Sequence, residues 1–159
     1  MEIRSTQEGD EIYLKQWLME EDTLRWFPMI NEVEVDDASK LWVNYGKNNA
    51  GFTALSDGVP CGMVVIYPAV YRKLSHQSLI SIIVDKQTRG KGVGRLLMNK
   101  MMEHAKQNFQ MELIHLEVYE DNPARFLYEK LGFVEYGRDT EFVKEDGKYL
   151  SKICMEKWI

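Results

Sequence analysis

Leu79-Ile80-Ser81-Ile82-Ile83-Val84-Asp85-Lys86-Gln87-Thr88-Arg89-Gly90-Lys91-Gly92-Val93-Gly94-Arg95, carried on to Phe109, changes period part-way along. Leu79 to Val84 is an apolar, largely β-branched run of strand length, which predicts a buried strand. After the glycines the spacing is helical, with Val93, Leu96, Leu97, Met101 and Ala105 falling three or four apart on one face. Between the two lie Gly90, Gly92 and Gly94. Glycine lets the backbone approach a ligand with no Cβ in the way and adopt dihedrals other residues avoid. The first turn of the following helix leaves N–H groups without intrahelical partners, and the helix dipole adds partial positive charge there. Strand, glycine turn and helix together make an anion cradle, and a pyrophosphate suits it.

Spacing narrows the ligand. The chain contains no P-loop run, and the dinucleotide fingerprint fails because Arg95 stands where its third glycine belongs. What remains is Gln87-Thr88-Arg89-Gly90-Lys91-Gly92, a Q-x-x-G-x-G run directly after a strand, whose plainer reading is an ordinary strand-to-helix turn. This run resembles the acyl-CoA-binding signature of the GNAT N-acetyltransferase superfamily. A second stretch, Leu116-Glu117-Val118-Tyr119-Glu120-Asp121-Asn122-Pro123-Ala124-Arg125-Phe126-Leu127-Tyr128-Glu129-Lys130-Leu131-Gly132-Phe133, is similar to the later half of the same family's core. There a strand leads to an Asn, a short helix carrying a Tyr, and a Gly-Phe. The two motifs occur in the family's order.

The resemblance implies a fold and a set of roles. The fold is α/β (α+β), a mixed and mostly antiparallel twisted sheet flanked by helices, with residues 1–159 as one N-acetyltransferase domain. Acetyl-CoA is the implied co-substrate. Its diphosphate would meet backbone N–H groups of Arg89, Gly90, Gly92, Val93, Gly94 and Arg95, with Arg89, Lys91 and Arg95 adding positive charge. The backbone of Ile82, Ile83 and Val84 would pair with the pantetheine arm as an added strand. Asn122 matches the Asn that meets that arm in relatives, and it also reads as a helix cap before Pro123. Many relatives hold one more residue between this Asn and the Tyr, so Asp121 is an alternative. Tyr128 matches the general acid that protonates the departing thiolate, against the plainer reading of a core tyrosine.

A base is harder to find. Many relatives carry a Glu on the central strand, whereas this chain reads Ser75-His76-Gln77-Ser78 ahead of it. Glu117, inside an otherwise apolar strand, is the substitute the resemblance favours; a half-buried carboxylate there would be expected to have a raised pKa. The plainer reading of Glu117 is a solvated or salt-bridged residue, and His76 or a water chain are further routes. The acceptor pocket in relatives is built from the segment between the first two helices and from the last strands. Here the first of these is Glu20-Glu21-Asp22-Thr23-Leu24-Arg25-Trp26-Phe27-Pro28, followed by Glu32, Glu34, Asp36 and Asp37, which suggests a cationic acceptor received beside aromatic rings.

Composition bounds the alternatives. Hydrophobic residues make up 45% and charged ones 28% of 159, ordinary for a globular domain. A formal net charge of −5 argues against a nucleic-acid partner. No apolar run approaches the roughly 18 residues that span a bilayer, and Met1-Glu2-Ile3-Arg4 carries no secretory leader. Cys61 and Cys154 read as small buried hydrophobes in a reducing cytoplasm, with no Cys/His spacing for a metal. The resemblance implies an amine as the partner, either a small molecule or a protein N-terminus, and the cysteines suit a cytoplasmic location. A homodimer through the C-terminal edge strands is open. The competing class is a catalytically silent acyl-CoA-binding sensor or interaction module, which would keep the glycine turn but not need Tyr128.

The remaining elements follow from pattern. A strand over Met1–Thr6 precedes a helix over Gln7–Glu20 with Ile12, Leu14, Trp17 and Leu18 inward. A second helix covers Val35–Tyr45 with Ala38, Leu41, Trp42 and Tyr45 inward, and Gly46–Gly51 is a polar loop. Strands Phe52–Leu55 and Cys61–Tyr67 flank the hairpin signal Asp57-Gly58. Met111–Tyr119 is a strand, Pro123–Leu131 a short helix, and Phe133–Val143 and Tyr149–Trp158 the last strands.

Overall fold

Alternation along the central strand divides the core in two. In the computed structural model, which describes residues 1–159, this strand is β4 (Gln77–Val84). Ile80 packs into one core with Val93, Leu97, Met98 and Met101, while Ile83 packs into another with Leu14, Trp17, Leu18 and Trp42. Successive side chains of a strand point to opposite faces, so one apolar run serves both layers.

Ahead of it come β1 (Glu2–Ser5), α1 (Glu11–Leu18), α2 (Glu21–Leu24), α3 (Glu32–Tyr45), β2 (Gly51–Ser56) and β3 (Val59–Ile66). After it follow α4 (Val93–Phe109), β5 (Leu113–Tyr119), α5 (Arg125–Lys130), β6 (Val134–Glu145) and β7 (Lys148–Trp158). The sheet has seven strands in the order β1-β2-β3-β4-β5-β7-β6. Every neighbouring pair is antiparallel except β4 and β5, which the crossover through α4 makes parallel. The mixed, mostly antiparallel sheet flanked by helices is thus present as expected.

Several boundaries differ, for local reasons. The first helix starts at Glu11, not Gln7, because Gly9 takes a φ of +95° and the Asp10 carboxylate is occupied elsewhere. That carboxylate is 3% exposed and accepts from the Arg4 guanidinium at 2.7 and 2.8 Å, the Gln7 N–H at 3.0 Å and the Thr53 hydroxyl at 2.8 Å. The next helix starts earlier than Val35, at Glu32. Asn31 accepts from the Glu34 N–H at 3.0 Å while the Glu34 carboxylate accepts from the Ile30 N–H at 2.8 Å, a reciprocal cap. In the expected polar loop Gly46–Gly51 the chain leaves α3 through non-helical dihedrals at Asn48 and Asn49, the latter with a φ of +63°, before β2 begins at Gly51. Gly46 is buried against Thr6, where a Cβ would collide with the threonine side chain. Ile12 and Leu41, expected inward, are largely exposed, since α1 and α3 bury narrow stripes against each other and the sheet.

Asp10 ties β1, α1 and β2 together, so Asp10→Ala is expected to lower the unfolding free energy by about 2–4 kcal/mol in urea denaturation. Burial alone would push the Asp10 carboxyl up; the hydrogen bonds from Arg4, Gln7 and Thr53 outweigh it and hold it below its ordinary 3.8. A depressed native pKa stabilises above the unfolded value and the gain fades as pH falls through the native one. The difference between wild type and variant should therefore be full above pH ~4 and shrink below it.

Candidate active site

β4 and β5 are paired only at Gln77–Leu113, Ser78–Ile114 and Leu79–His115. Beyond Leu79 each strand continues on its outer neighbour alone, β4 on β3 and β5 on β7. The strands splay and open a wedge in the sheet. Register decides which backbone groups face it. The Leu79 carbonyl accepts from the Tyr67 N–H and the Asp85 N–H donates to the Cys61 carbonyl. By antiparallel alternation Leu79, Ser81, Ile83 and Asp85 point their backbone groups at β3, and Ile80, Ile82 and Val84 point theirs into the wedge. Of the three residues expected to pair with a pantetheine arm, Ile82 and Val84 are suitably directed. The backbone of Ile83 faces β3 and its side chain is buried beneath α1 and α3.

The glycine turn closes one end. Asp85 accepts from the Gln87 N–H at 3.1 Å, and the Thr88 hydroxyl donates to the Cys61 carbonyl at 3.1 Å, so the approach to the turn is fastened to β3. Gly90 and Gly92 take φ of +77° and +88°, and at neither would an added Cβ meet any atom within 4 Å. They are needed for their dihedrals. Gly94 is needed for space, because a Cβ there would lie 2.9 Å from the Leu127 side chain of α5. The first intrahelical bond of α4 runs from the Leu96 N–H to the Gly92 carbonyl, leaving the N–H groups of Val93, Gly94 and Arg95 ahead of it. Arg89, Gly90, Gly92, Val93, Gly94 and Arg95 all line the cleft; Lys91 is exposed and does not. Arg89 does more than line the turn. Its guanidinium donates to the Thr23 hydroxyl at 2.7 Å and the Val84 carbonyl at 3.0 Å, strapping α2 to the turn beside a second strap, Lys86–Asp22.

Asn122 lines the cleft, and its side-chain oxygen accepts from the Ala124 N–H at 2.9 Å. The cap and the cleft-facing position therefore hold together, whereas Asp121 lies in an adjoining surface depression. Tyr128 lines the cleft from α5, 8% exposed, its ring edge-on to Phe133 at 6.2 Å. Burial pushes its phenol up to about 12, with no charge or hydrogen bond contributing. The phenol is neutral at physiological pH.

Glu117 lies across the sheet from Tyr128. Along β5, Ile114, Leu116 and Val118 pack on α4 in the core that holds Tyr128, and Glu117 projects from the other face. Its carboxylate is not the desolvated one expected: it is 44% exposed and accepts from the Lys152 ammonium at 3.0 Å. Lys152 is itself 8% exposed, 3.6 Å from Asp139 and 3.8 Å over the Phe142 ring. Burial pulls that ammonium down, but Glu117 and Asp139 more than offset it and hold it above its ordinary value. His76 sits at the closed end of the wedge and does not line it. Neither cysteine lines it either, and burial pushes the Cys61 thiol up.

The acidic segment behaves differently from expectation. None of Glu20, Glu21, Asp22, Glu32, Glu34, Asp36 and Asp37 lines the cleft. Asp22 pairs with Lys86, Glu32 and Asp36 with Lys15, Asp36 also with Lys40, and Glu34 caps α3. From this segment the cleft receives Thr23, Trp26, Phe27, Pro28 and Met29. Lys152 and Phe142 were not anticipated. A lysine amid the apolar alternation of β7 was a signal for the first. Phe142 is turned over Lys152 by a bulge at Glu141, whose φ is +56°, and no pattern announces that. The cleft encloses about 1050 Å³ and is lined by residues from both faces of the sheet.

Residues 11–133 match the model of the acetyltransferase (GNAT) family. Over 133 residues the chain is 33% identical to the [ribosomal protein bS18]-alanine N-acetyltransferase of Haemophilus influenzae, covering 81% of this chain and 90% of that one. It is 30% identical to the L-amino acid N-acetyltransferase of Escherichia coli over 105 residues, about 65% of either chain. The crystal structure of the ribosomal-protein-alanine N-acetyltransferase from Brucella melitensis superposes with a TM-score of 0.86 at 22% identity, covering all of both chains. Curated relatives named N-acetyltransferases, a family model spanning most of the chain and a shared fold agree with the two motifs: the chain belongs to the GNAT family of acetyltransferases.

Proposed function

We propose that this chain, acting through residues 1–159 as one unit, transfers acetyl from acetyl-CoA directly to a primary amine within a ternary complex. The observation that carries the reading is the wedge. An unpaired backbone edge on β4 ends at left-handed glycines and the free N–H groups of α4, and the cleft is lined from both faces of the sheet, which suits the meeting of two ligands. Acetyl-CoA would bring the acetyl group as a thioester. Ile82 offers its N–H and carbonyl, and Val84 its N–H, to an extended amide-bearing arm, and the turn from Arg89 to Arg95 offers N–H groups and the Arg95 charge to a diphosphate. A backbone N–H of β4 would stabilise negative charge developing on the acetyl oxygen.

Tyr128 and Glu117 stand on opposite faces of the wedge and suit opposite tasks. The neutral phenol of Tyr128 donates a proton toward the departing sulfur. Glu117 accepts the proton that an ammonium must lose before it can attack. Neither Cys61 nor Cys154 reaches the cleft, which favours direct transfer over an acyl-enzyme. No helix is long and apolar enough to cross a membrane, and the reading places the reaction in the cytoplasm.

The test is thiol release from acetyl-CoA over a panel of polyamines, amino acids and peptides with free N-termini. Turnover of any acceptor supports the reading; tight acetyl-CoA binding with no turnover in the panel favours the silent binding module. With an acceptor in hand, Glu117→Gln is expected to lower kcat/KM about 10²-fold at neutral pH with acetyl-CoA affinity kept. The deficit should narrow as pH approaches the acceptor's own pKa, where the amine loses its proton unaided. A deficit constant with pH would remove Glu117 as the base.

A further inference from the structure

The two faces of the cleft differ in chemistry. On the face of α4 and α5 stand the glycine turn, Arg95 and Lys130. On the face of α2 and α3 the wall is Trp26, Phe27, Met29, Leu41, Trp42 and Phe142. None of the acidic residues of this segment lines the cleft, and Asp22, Glu32 and Asp36 are paired outside it with Lys86, Lys15 and Lys40. A polyamine would bring several charges to a wall with no partners for them, and desolvating unpaired charge is costly.

The cations on this side are held in place. Lys152 is shared between Glu117 and Asp139, and the three together carry one net negative charge. Arg89 is held by Thr23 and Val84, and Arg25, 4.5 Å over the Trp26 ring, does not line the cleft. A free carboxylate beside the reacting amine would face the Glu117–Asp139 charge. One excess negative charge suits one ammonium, that of the reacting amine itself. Resting on the acetyl-transfer reading, we infer that the acceptor is a primary amine on an apolar or aromatic carbon skeleton with no free carboxylate next to it: an arylalkylamine, or a peptide N-terminus with a large apolar first side chain.

Four acceptors separate the possibilities in a thiol-release assay with the full chain: phenethylamine, L-phenylalaninamide, L-phenylalanine and spermidine. The first two are expected to exceed the last two by at least about tenfold in kcat/KM. Spermidine or L-phenylalanine performing as well as the amide overturns the inference and leaves acetyl transfer standing. Acetyl-CoA binding in calorimetry without turnover of either aromatic amine overturns it too. Failure of acetyl-CoA to bind at all removes the reading beneath it. Phe142→Ala should raise the KM for L-phenylalaninamide about threefold or more while the KM for acetyl-CoA stays. An unchanged amide KM counts against the aromatic wall.

Discussion

Replacing Tyr128 with Phe is expected to lower kcat by about 10²-fold to 10⁴-fold, with acetyl-CoA affinity unchanged within about twofold. The ring stays in place, edge-on to Phe133 and in the core with Leu97 and Met101, so its packing survives the substitution. Only the hydroxyl is lost, and its shifted pKa has burial as the sole cause, so no native hydrogen bond goes with it. Stability should fall by less than about 1 kcal/mol. A phenol raised to about 12 stays protonated throughout the working range, so wild-type activity should show no alkaline limb attributable to Tyr128 below pH ~10. Saturation kinetics and acetyl-CoA titration on both proteins check this. A kcat reduced less than about threefold would leave Tyr128 as a core residue and nothing more.

Gly92→Val should raise the dissociation constant for acetyl-CoA at least about tenfold, or ~1.4 kcal/mol. The position has a φ of +88° and open space around it, so the substitution costs dihedral strain without a collision. That strain is about 1–2 kcal/mol for an ordinary residue, and β-branching makes it worse. The chain can relieve it by unwinding the start of α4, which turns the N–H groups of Val93, Gly94 and Arg95 away from their common direction. Asparagine tolerates left-handed dihedrals, so Gly92→Asn should fall between glycine and valine. Equal losses for the two variants would mean that dihedral strain is not the cause. Calorimetric titration with acetyl-CoA orders all three proteins.

How much of this was legible depended on how local each feature is. Leu79 to Phe109 could be read correctly because strand period, glycine turn and helix period are set within a few residues of one another. The same holds for Asn122, whose cap bond spans two residues, and for the hairpin at Asp57-Gly58, with φ of +52° and +81°. The cap of α3 was equally local: Asn31 and Glu34 stand three apart, but the acidic run Glu32, Glu34, Asp36 and Asp37 drew attention toward an acceptor pocket. Of those charges, Glu32 and Asp36 are held by Lys15, Asp36 also by Lys40, and Glu34 by the cap itself, and only the packing of α1 against α3 brings Lys15 there.

The sequence by itself determined the strand–turn–helix cradle, the order of the strands' making, and the chemistry of Tyr128 as a phenol on a short helix. Each rests on periodicity, on glycine's access to left-handed dihedrals, or on a residue type at a motif position. Tertiary structure alone decided where β4 parts from β5, because that depends on which neighbour each strand keeps. It alone brought Lys152 to Glu117 across 35 positions, and swung Phe142 over that ammonium through the bulge at Glu141. Long-range pairing and an irregular strand leave no period in the chain, and the side of the cleft that holds Glu117, Lys152 and Phe142 is built from both.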